Sequence, residues 1–376
     1  MIYLDNSAST FFKPPEVIDA AANALRFLPA NAGRSGHSAA IKSAALVQKT
    51  RNRICDFTTA TDYDAIFTAG CTAALNLAIF GSVRRGGHVI TTVREHNSVL
   101  RPLYELRRKG VISLSVAGDV TAEGIGKLVR PETYMAVVNH VSNVTGEVAP
   151  IREIGWLCRE RGLTFLVDGA QSVGYLPISL TDDNVDMLAV APHNGLHAAQ
   201  GVGVLLVNNR VSLRPVVFGG TGTASHELIQ PADRPDGLEA GTLPLPAIAS
   251  LCAALGVAKK NAAANRDKIR SLYDSLYGGA SRISGVRIYS PPDSPCGILR
   301  LTSIRSPLRN CRYSVVRIRY LRARWTALRP LMHESLGLLG SGGCVRASLG
   351  FDNTPEQIDF FSAPPRNLGI KRKFTT

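Results

Sequence analysis

No stretch of these 376 residues approaches eighteen consecutive apolar side chains, so the sequence offers no candidate for a membrane-crossing helix. The amino terminus, Met1-Ile-Tyr-Leu-Asp5, lacks the basic region followed by an apolar one that marks a secretory signal. The expectation is a cytoplasmic protein without a membrane partner. Cysteines are few and unpaired in spacing: Cys55, Cys71, Cys158, Cys252, Cys296, Cys311 and Cys344 argue against a disulfide framework or a zinc site, and no metal is expected. Acidic residues are missing altogether from 305–329, where eight arginines fall, and four more basic residues lie between Arg366 and Lys373. A net charge of +14 would ordinarily point to a polyanion partner. Because most of the excess sits in these two segments, no nucleic-acid partner is expected.

What is present is a chain long enough for one large α/β domain and a smaller one, with 45% hydrophobic and 19% charged residues, as in globular proteins. Its most informative stretch runs from Leu163 to Val207. Leu163-Thr-Phe-Leu-Val-Asp168 is an apolar, β-branched run that stops on a carboxylate, followed by Gly169-Ala170-Gln171-Ser172; it predicts a buried parallel strand that delivers Asp168 at its carboxyl end. Asp186-Met-Leu-Ala-Val190 predicts a second strand, leading into Ala191-Pro192-His193-Asn194-Gly195, and Gln200 to Val207 a third.

Upstream, Tyr63–Thr68, Gly87–Val93 and Tyr134–His140 also read as strands. Between them Ala69-Gly70-Cys71-Thr72 turns into a helix, and such a turn offers free backbone N–H groups and a positive dipole end to a phosphate. Strand and helix alternate, so the sheet should be mostly parallel, with its site along the carboxyl edge. A helix from Ala247 to Arg270 should then lead into the smaller domain.

These motifs resemble the class V, fold type I pyridoxal-phosphate enzymes, and within them the cysteine desulfurase family. The opening Tyr3-Leu-Asp-Asn-Ser-Ala-Ser-Thr10, Glu95-His96, the Asp-x-Ala-Gln-like Asp168–Gln171 and Cys344-Val-Arg346-Ala-Ser-Leu-Gly350 all have counterparts there. The resemblance implies a large domain with a seven-stranded-type, mostly parallel sheet between helices, plus a smaller α+β C-terminal domain. Expected limits are 1–15 for an N-terminal segment packing with the small domain, 16–255 for the large domain and 256–376 for the small one. It also implies pyridoxal 5'-phosphate as cofactor, with Cys71 and Thr72 at its phosphate, His96 over its ring, Asn143 facing it, Asp168 on the pyridine nitrogen, Gln171 on the ring hydroxyl, and His193 beside the attachment point. Thr242 would add a phosphate contact across a homodimer interface, together with Gly219-Gly220. Asn143 and Arg346 would hold a small, cysteine-like amino-acid substrate. The loop Asn31–His37 would lie near the mouth of the site. The family reaction converts L-cysteine to L-alanine and an enzyme persulfide, and a sulfur-acceptor protein would be a further partner.

Two departures bear on that chemistry. The family quartet Ser/Thr-Gly-His-Lys carries the lysine that holds the cofactor as a Schiff base and moves protons; here it reads Ala191-Pro192-His193-Asn194. The lysine position holds an amide, and the phosphate-binding hydroxyl is replaced by a methyl group. The family's loop Arg-Ala-Gly-Leu-His-Cys-Ala-Pro-Leu-Met-His reads Arg322-Ala-Arg-Trp-Thr-Ala-Leu-Arg-Pro-Leu-Met-His333. Its ends match and its middle lacks the cysteine. Permitted codons for Arg324–Arg329, read one base later, encode Ala-Gly-Leu-His-Cys, so 305–329 reads as translated out of frame, against the alternative of a solvated basic patch. The Pro-rich, basic tail 362–376 has the same character. Three functions remain open at this level: an impaired desulfurase-like protein binding its cofactor non-covalently; a cofactor enzyme using His193 or His197 as its base; and a non-catalytic binding protein.

Overall fold

Period-two alternation in the strands sorts their side chains onto two faces, and the fold follows from covering both. The computed structural model describes residues 2–32, 36–221, 227–231, 233–303, 330–336 and 344–362. The segment 305–329, residues 33–35 of the polar loop, Gly222 and the tail beyond Ser362 lie outside the described residues.

In chain order the elements are α1 (Pro15–Phe27), α2 (Ser38–Phe57), β1 (Tyr63–Thr68), α3 (Cys71–Gly81), β2 (His88–Thr92), α4 (Asn97–Arg108), β3 (Ser113–Ala117), α5 (Ala122–Gly126), β4 (Thr133–Asn139), α6 (Ile151–Glu160), β5 (Thr164–Asp168), β6 (Met187–Val190) and β7 (Gly203–Asn208). Then come α7 (Leu245–Ser281), β8 (Val286–Ile288), β9 (Ile298–Ser303), α8 (Pro330–Ser335), β10 (Val345–Ser348) and α9 (Pro355–Ser362).

The large sheet has seven strands in the order β1-β7-β6-β5-β4-β2-β3. Only β7 runs against its neighbours; the other pairings are parallel. One face packs Ala136, Val138, Phe165, Val167, Leu188 and Val190 into the larger core, while the alternate residues Met135, Val137, Leu166, Met187 and Ala189 fill the other. All seven residues of β4 are buried, as a central strand covered on both sides requires. Because β7 is reversed, its first residue, Gly203, lies at the edge where the parallel strands end. A Cβ on Gly203 would stand 2.3 Å from the backbone carbon of Gly70, so only glycine permits that approach.

The second sheet is antiparallel, β10-β9-β8. The long helix α7 spans both parts: Ile248, Leu251 and Leu255 belong to the large core, whereas Ile269, Leu272 and Leu276 belong to the small one. It continues eleven residues past the Arg270 end that the sequence suggests. The N-terminal segment closes on the small sheet through an Asp5–Ser348 bridge and a bond from Asn353 Nδ2 to the Tyr3 carbonyl at 3.0 Å. Among the described residues, no helix is long and apolar enough to cross a membrane.

Two buried polar groups set measurable stability terms. The Glu239 carboxylate accepts two bonds from Arg51, at 2.7 and 2.8 Å, and one from the Phe67 amide at 2.5 Å, fastening the loop before α7 to α2 and β1. Both partners are buried, so Glu239→Ala strands a guanidinium in the core. We expect a loss of about 3–5 kcal/mol, read as a lower denaturant midpoint at unchanged slope. His140, at the end of β4, is pushed down by burial from 6.5 to about 4. Between those values the unfolded chain takes up a proton that the native chain refuses. Stability therefore falls as pH drops through this window, by up to about 3 kcal/mol. His140→Gln should remove that share of the slope in unfolding titrations from pH 7 to 4.

Candidate functional site

The carboxyl ends of β1, β2, β4, β5 and β6 lie along one edge, and the turns leaving them carry nearly every chemically suggestive residue of the large domain. Asp168 ends β5 and is buried. Its Oδ1 accepts the Ala170 amide at 3.0 Å and stands 3.8 Å from Cys71 Sγ, the first residue of α3. That helix starts at Gly70, whose φ of +140° needs glycine, and no side chain caps it. Its first-turn amides are available to an anion.

His96 caps α4: its Nδ1 accepts the Ser98 amide at 3.1 Å and lies 2.8 Å from the Ser98 hydroxyl. That hydroxyl is 2.8 Å from Thr72 Oγ1, so a chain of hydrogen bonds ties His96 to α3. Glu95 fixes the turn from beneath; its Oε1 accepts from Thr92 Oγ1 at 2.7 Å and from the Asn139 amide at 2.9 Å.

Asn194 reaches the same place from β6. Its Nδ2 donates to the Ala170 carbonyl at 2.9 Å, while its Oδ1 is buried with no partner among the described residues. The turn carrying it packs backbone to backbone on the turn after Asp168; a Cβ on Gly174, at φ +99°, would stand 2.4 Å from the Gly195 carbonyl carbon. Gln171 Nε2 donates to the Ser7 carbonyl at 2.9 Å, which brings in the N-terminal segment. His193 Nδ1 and Asn143 Oδ1 are also buried without partners among the described residues. Burial, then the charge of Lys13, holds His193 below the ordinary imidazole range; burial does the same for His197, with a smaller contribution from Lys13.

The small domain contributes Arg346 from β10. Its guanidinium donates to the Asn143 carbonyl at 3.0 Å and pairs with Asp5 at 2.6 Å, so the two residues expected to hold a substrate are neighbours. Thr242 is not brought in: within one chain it is exposed and makes no hydrogen bond among the described residues. Gly219 and Gly220 lie in an exposed loop, where the Gly220 carbonyl accepts the Gly241 amide at 2.9 Å.

Sequence reading missed two residues. Ser98 links His96 to Thr72, and its only signal was its place at the start of a helix. Lys13 Nζ donates to the Thr10 hydroxyl at 2.6 Å, the Thr10 carbonyl at 2.9 Å and the His193 carbonyl at 3.5 Å, bracing the backbone beside Asn194. Burial lowers its ammonium to about 8. Nothing in the sequence marks that lysine, because its partner is 180 residues away.

The donor set fits a phosphorylated pyridine aldehyde held without a covalent bond: an uncapped helix start for the phosphate, a buried carboxylate for a ring nitrogen, and orphaned polar atoms on the intervening turns. At residue 194 itself the amide is no nucleophile and offers no covalent attachment. Among the described residues, no three His, Cys, Asp or Glu converge as metal ligands.

The Aminotransferase class-V family model matches residues 2–361. The cysteine desulfurase IscS of Pectobacterium carotovorum subsp. carotovorum (strain PC1) is 32% identical over 300 residues, covering 76% of this chain and 70% of that protein. A probable mitochondrial cysteine desulfurase of Dictyostelium discoideum is 33% identical over 288 residues, covering 74% and 61%. Among solved structures, the apo cysteine desulfurase of Thermococcus onnurineus NA1 superposes with a TM-score of 0.85 over 96% of this chain and 92% of that one, at 24% identity, which speaks to the fold. Members of this family use pyridoxal 5'-phosphate. With a seven-stranded sheet that delivers Asp168, His96 and the start of α3 to one edge, the chain belongs to the class-V aminotransferase family and groups there with the cysteine desulfurases.

Proposed function

We propose that this chain is a cysteine desulfurase-like protein that holds pyridoxal 5'-phosphate non-covalently and does not complete sulfur transfer. The observation that carries this reading is Asn194, whose amide nitrogen is already donated to the Ala170 carbonyl. An amide neither forms a covalent bond to an aldehyde nor accepts a proton near neutral pH.

The remaining groups have consistent roles. Asp168 would pair with the cofactor's ring nitrogen, His96 would lie against the ring and Gln171 would reach its hydroxyl. Cys71, Thr72 and the start of α3 would hold the phosphate, aided by Thr242 from a second copy. When bound, the cofactor withdraws electrons from a substrate's α-carbon. Arg346 and Asn143 would orient the carboxylate of a cysteine-like amino acid, with Asp5 offsetting part of the guanidinium charge. No lysine stands at residue 194 to move the proton that this chemistry releases.

A sulfur acceptor needs a thiolate. Burial, then the nearby charge of Asp168, pushes the Cys71 thiol well above its ordinary range, and burial also raises Cys55, Cys158, Cys296 and Cys344. The loop that carries the acceptor cysteine in the family corresponds to residues outside the described ones. His193 is the second candidate base, favoured by its unpartnered Nδ1, but its lowered proton affinity weakens it in that role. We further assign the N-terminal segment and the part beyond 255 to a small domain, and place the protein in the cytoplasm.

Added pyridoxal phosphate should give free-aldehyde absorbance and no borohydride-fixed adduct. Asn194→Lys should restore the fixed adduct, visible by mass spectrometry, without producing a persulfide from cysteine. An adduct on the unaltered protein at residue 194 would refute the reading. The protein should also sediment as a homodimer, and Thr242→Ala should weaken cofactor binding by about one charge-assisted hydrogen bond, roughly 1.5–3 kcal/mol. A monomer binding the cofactor equally well would count against the shared site.

A further inference from the structure

At the opposite edge of the large sheet, where β5 and β6 begin and β7 ends, lies a cavity of about 550 Å³. That volume suits a small ligand and not an extended macromolecular face. It shares no lining residue with the site along the carboxyl edge. Four arginines, Arg84, Arg159, Arg210 and Arg214, line it with one carboxylate, Asp186.

The carboxylate is already engaged. Asp186 is buried, accepts the Phe165 amide at 2.8 Å and is paired with Arg210, whose Nε lies 2.5 Å away. The other three arginines have no carboxylate in contact among the described residues. Arg214 is oriented by a bond from Nη2 to the Val83 carbonyl at 2.9 Å, and Arg84 lies over the Tyr134 ring at 5.3 Å. The side chain of Arg159, in the last turn of α6, makes no hydrogen bond or ion pair among the described residues, although its charge favours the ionised form of Asp186.

Helix ends give a bland account of some of this charge. The carboxyl ends of α3 and α6 border the cavity, and each carries about half a negative charge. Together with Asp186 they amount to about two negative charges, which leaves four guanidinium groups in excess by about two. Arg84, Arg159, Arg210 and Arg214 are all exposed, so the excess faces solvent.

We propose that this cavity binds a small anion carrying a diphosphate group, either as free pyrophosphate or as a nucleoside diphosphate. Planar guanidinium groups pair bidentately with phosphate oxygens, and an excess of about two positive charges around one hollow matches two adjacent phosphates better than one.

The test is calorimetric titration of inorganic pyrophosphate, ADP and inorganic phosphate into the full chain, with the cofactor site first saturated by pyridoxal phosphate. One pyrophosphate site per chain is expected, at least tenfold tighter than for phosphate. Arg159→Ala and Arg214→Ala should each weaken it about tenfold, whereas Arg108→Ala, on α4 and already paired with Glu105, should leave it unchanged. Arg159 has no bonded partner to lose, so that variant should fold normally by circular dichroism. ADP binding more tightly than pyrophosphate would identify a nucleotide as the ligand, and equal affinity would identify the diphosphate alone. Absence of saturable binding, or equal loss of binding in Arg108→Ala, would overturn the proposal.

Discussion

The site depends on Ala170, a residue with no functional side chain. Its amide donates to Asp168 and its carbonyl accepts the Asn194 side chain, so one peptide unit couples the ends of two neighbouring strands. Both turns come that close because Gly174 and Gly195 carry no Cβ where the backbones meet. A lysine at residue 194 would leave that carbonyl without its present donor in the same geometry. The amide therefore alters the packing of the turn as well as removing a reactive nitrogen.

Around this point the protein places polar groups under different constraints. Glu95, Asp168 and Glu239 are buried and multiply hydrogen-bonded, each fastening a turn or loop to the sheet. His193, Asn143 and Asn194 keep buried atoms with no partner among the described residues, as do Ser43 and His140. Leaving such atoms unpaired costs about 1–3 kcal/mol each, which a fold tolerates where a ligand supplies the missing bonds.

The two edges of the sheet also differ in their electrostatics. At the carboxyl edge the start of α3 presents positive dipole to a region containing Asp168. At the amino edge the ends of α3 and α6 present negative dipole, and arginines gather there in more than compensating number. Twelve of the chain's basic residues fall in two acid-free segments outside this arrangement, so the overall charge of +14 says little about either edge.

Apolar runs were enough to read six strands of the large sheet, because a residue buried on both faces leaves little choice of type; β1 matched residue for residue and five others to within a few residues at their ends, whereas the half-buried edge strand β3 was not read. Asp168, His96, Thr72 and Asn194 were singled out because their motifs, each at or just after a strand end, resemble those of the family. The sequence by itself thus determined the class of fold, the edge that bears the site and the identity of the residue where a lysine is expected. It could not show that β7 runs antiparallel, that α7 continues to Ser281, that Lys13 braces His193 or that Arg346 meets Asn143 and Asp5. Those facts depend on which distant segments pack together. The amino-edge cavity is of the same kind: its arginines come from three separate stretches, and only closure of the sheet makes them neighbours.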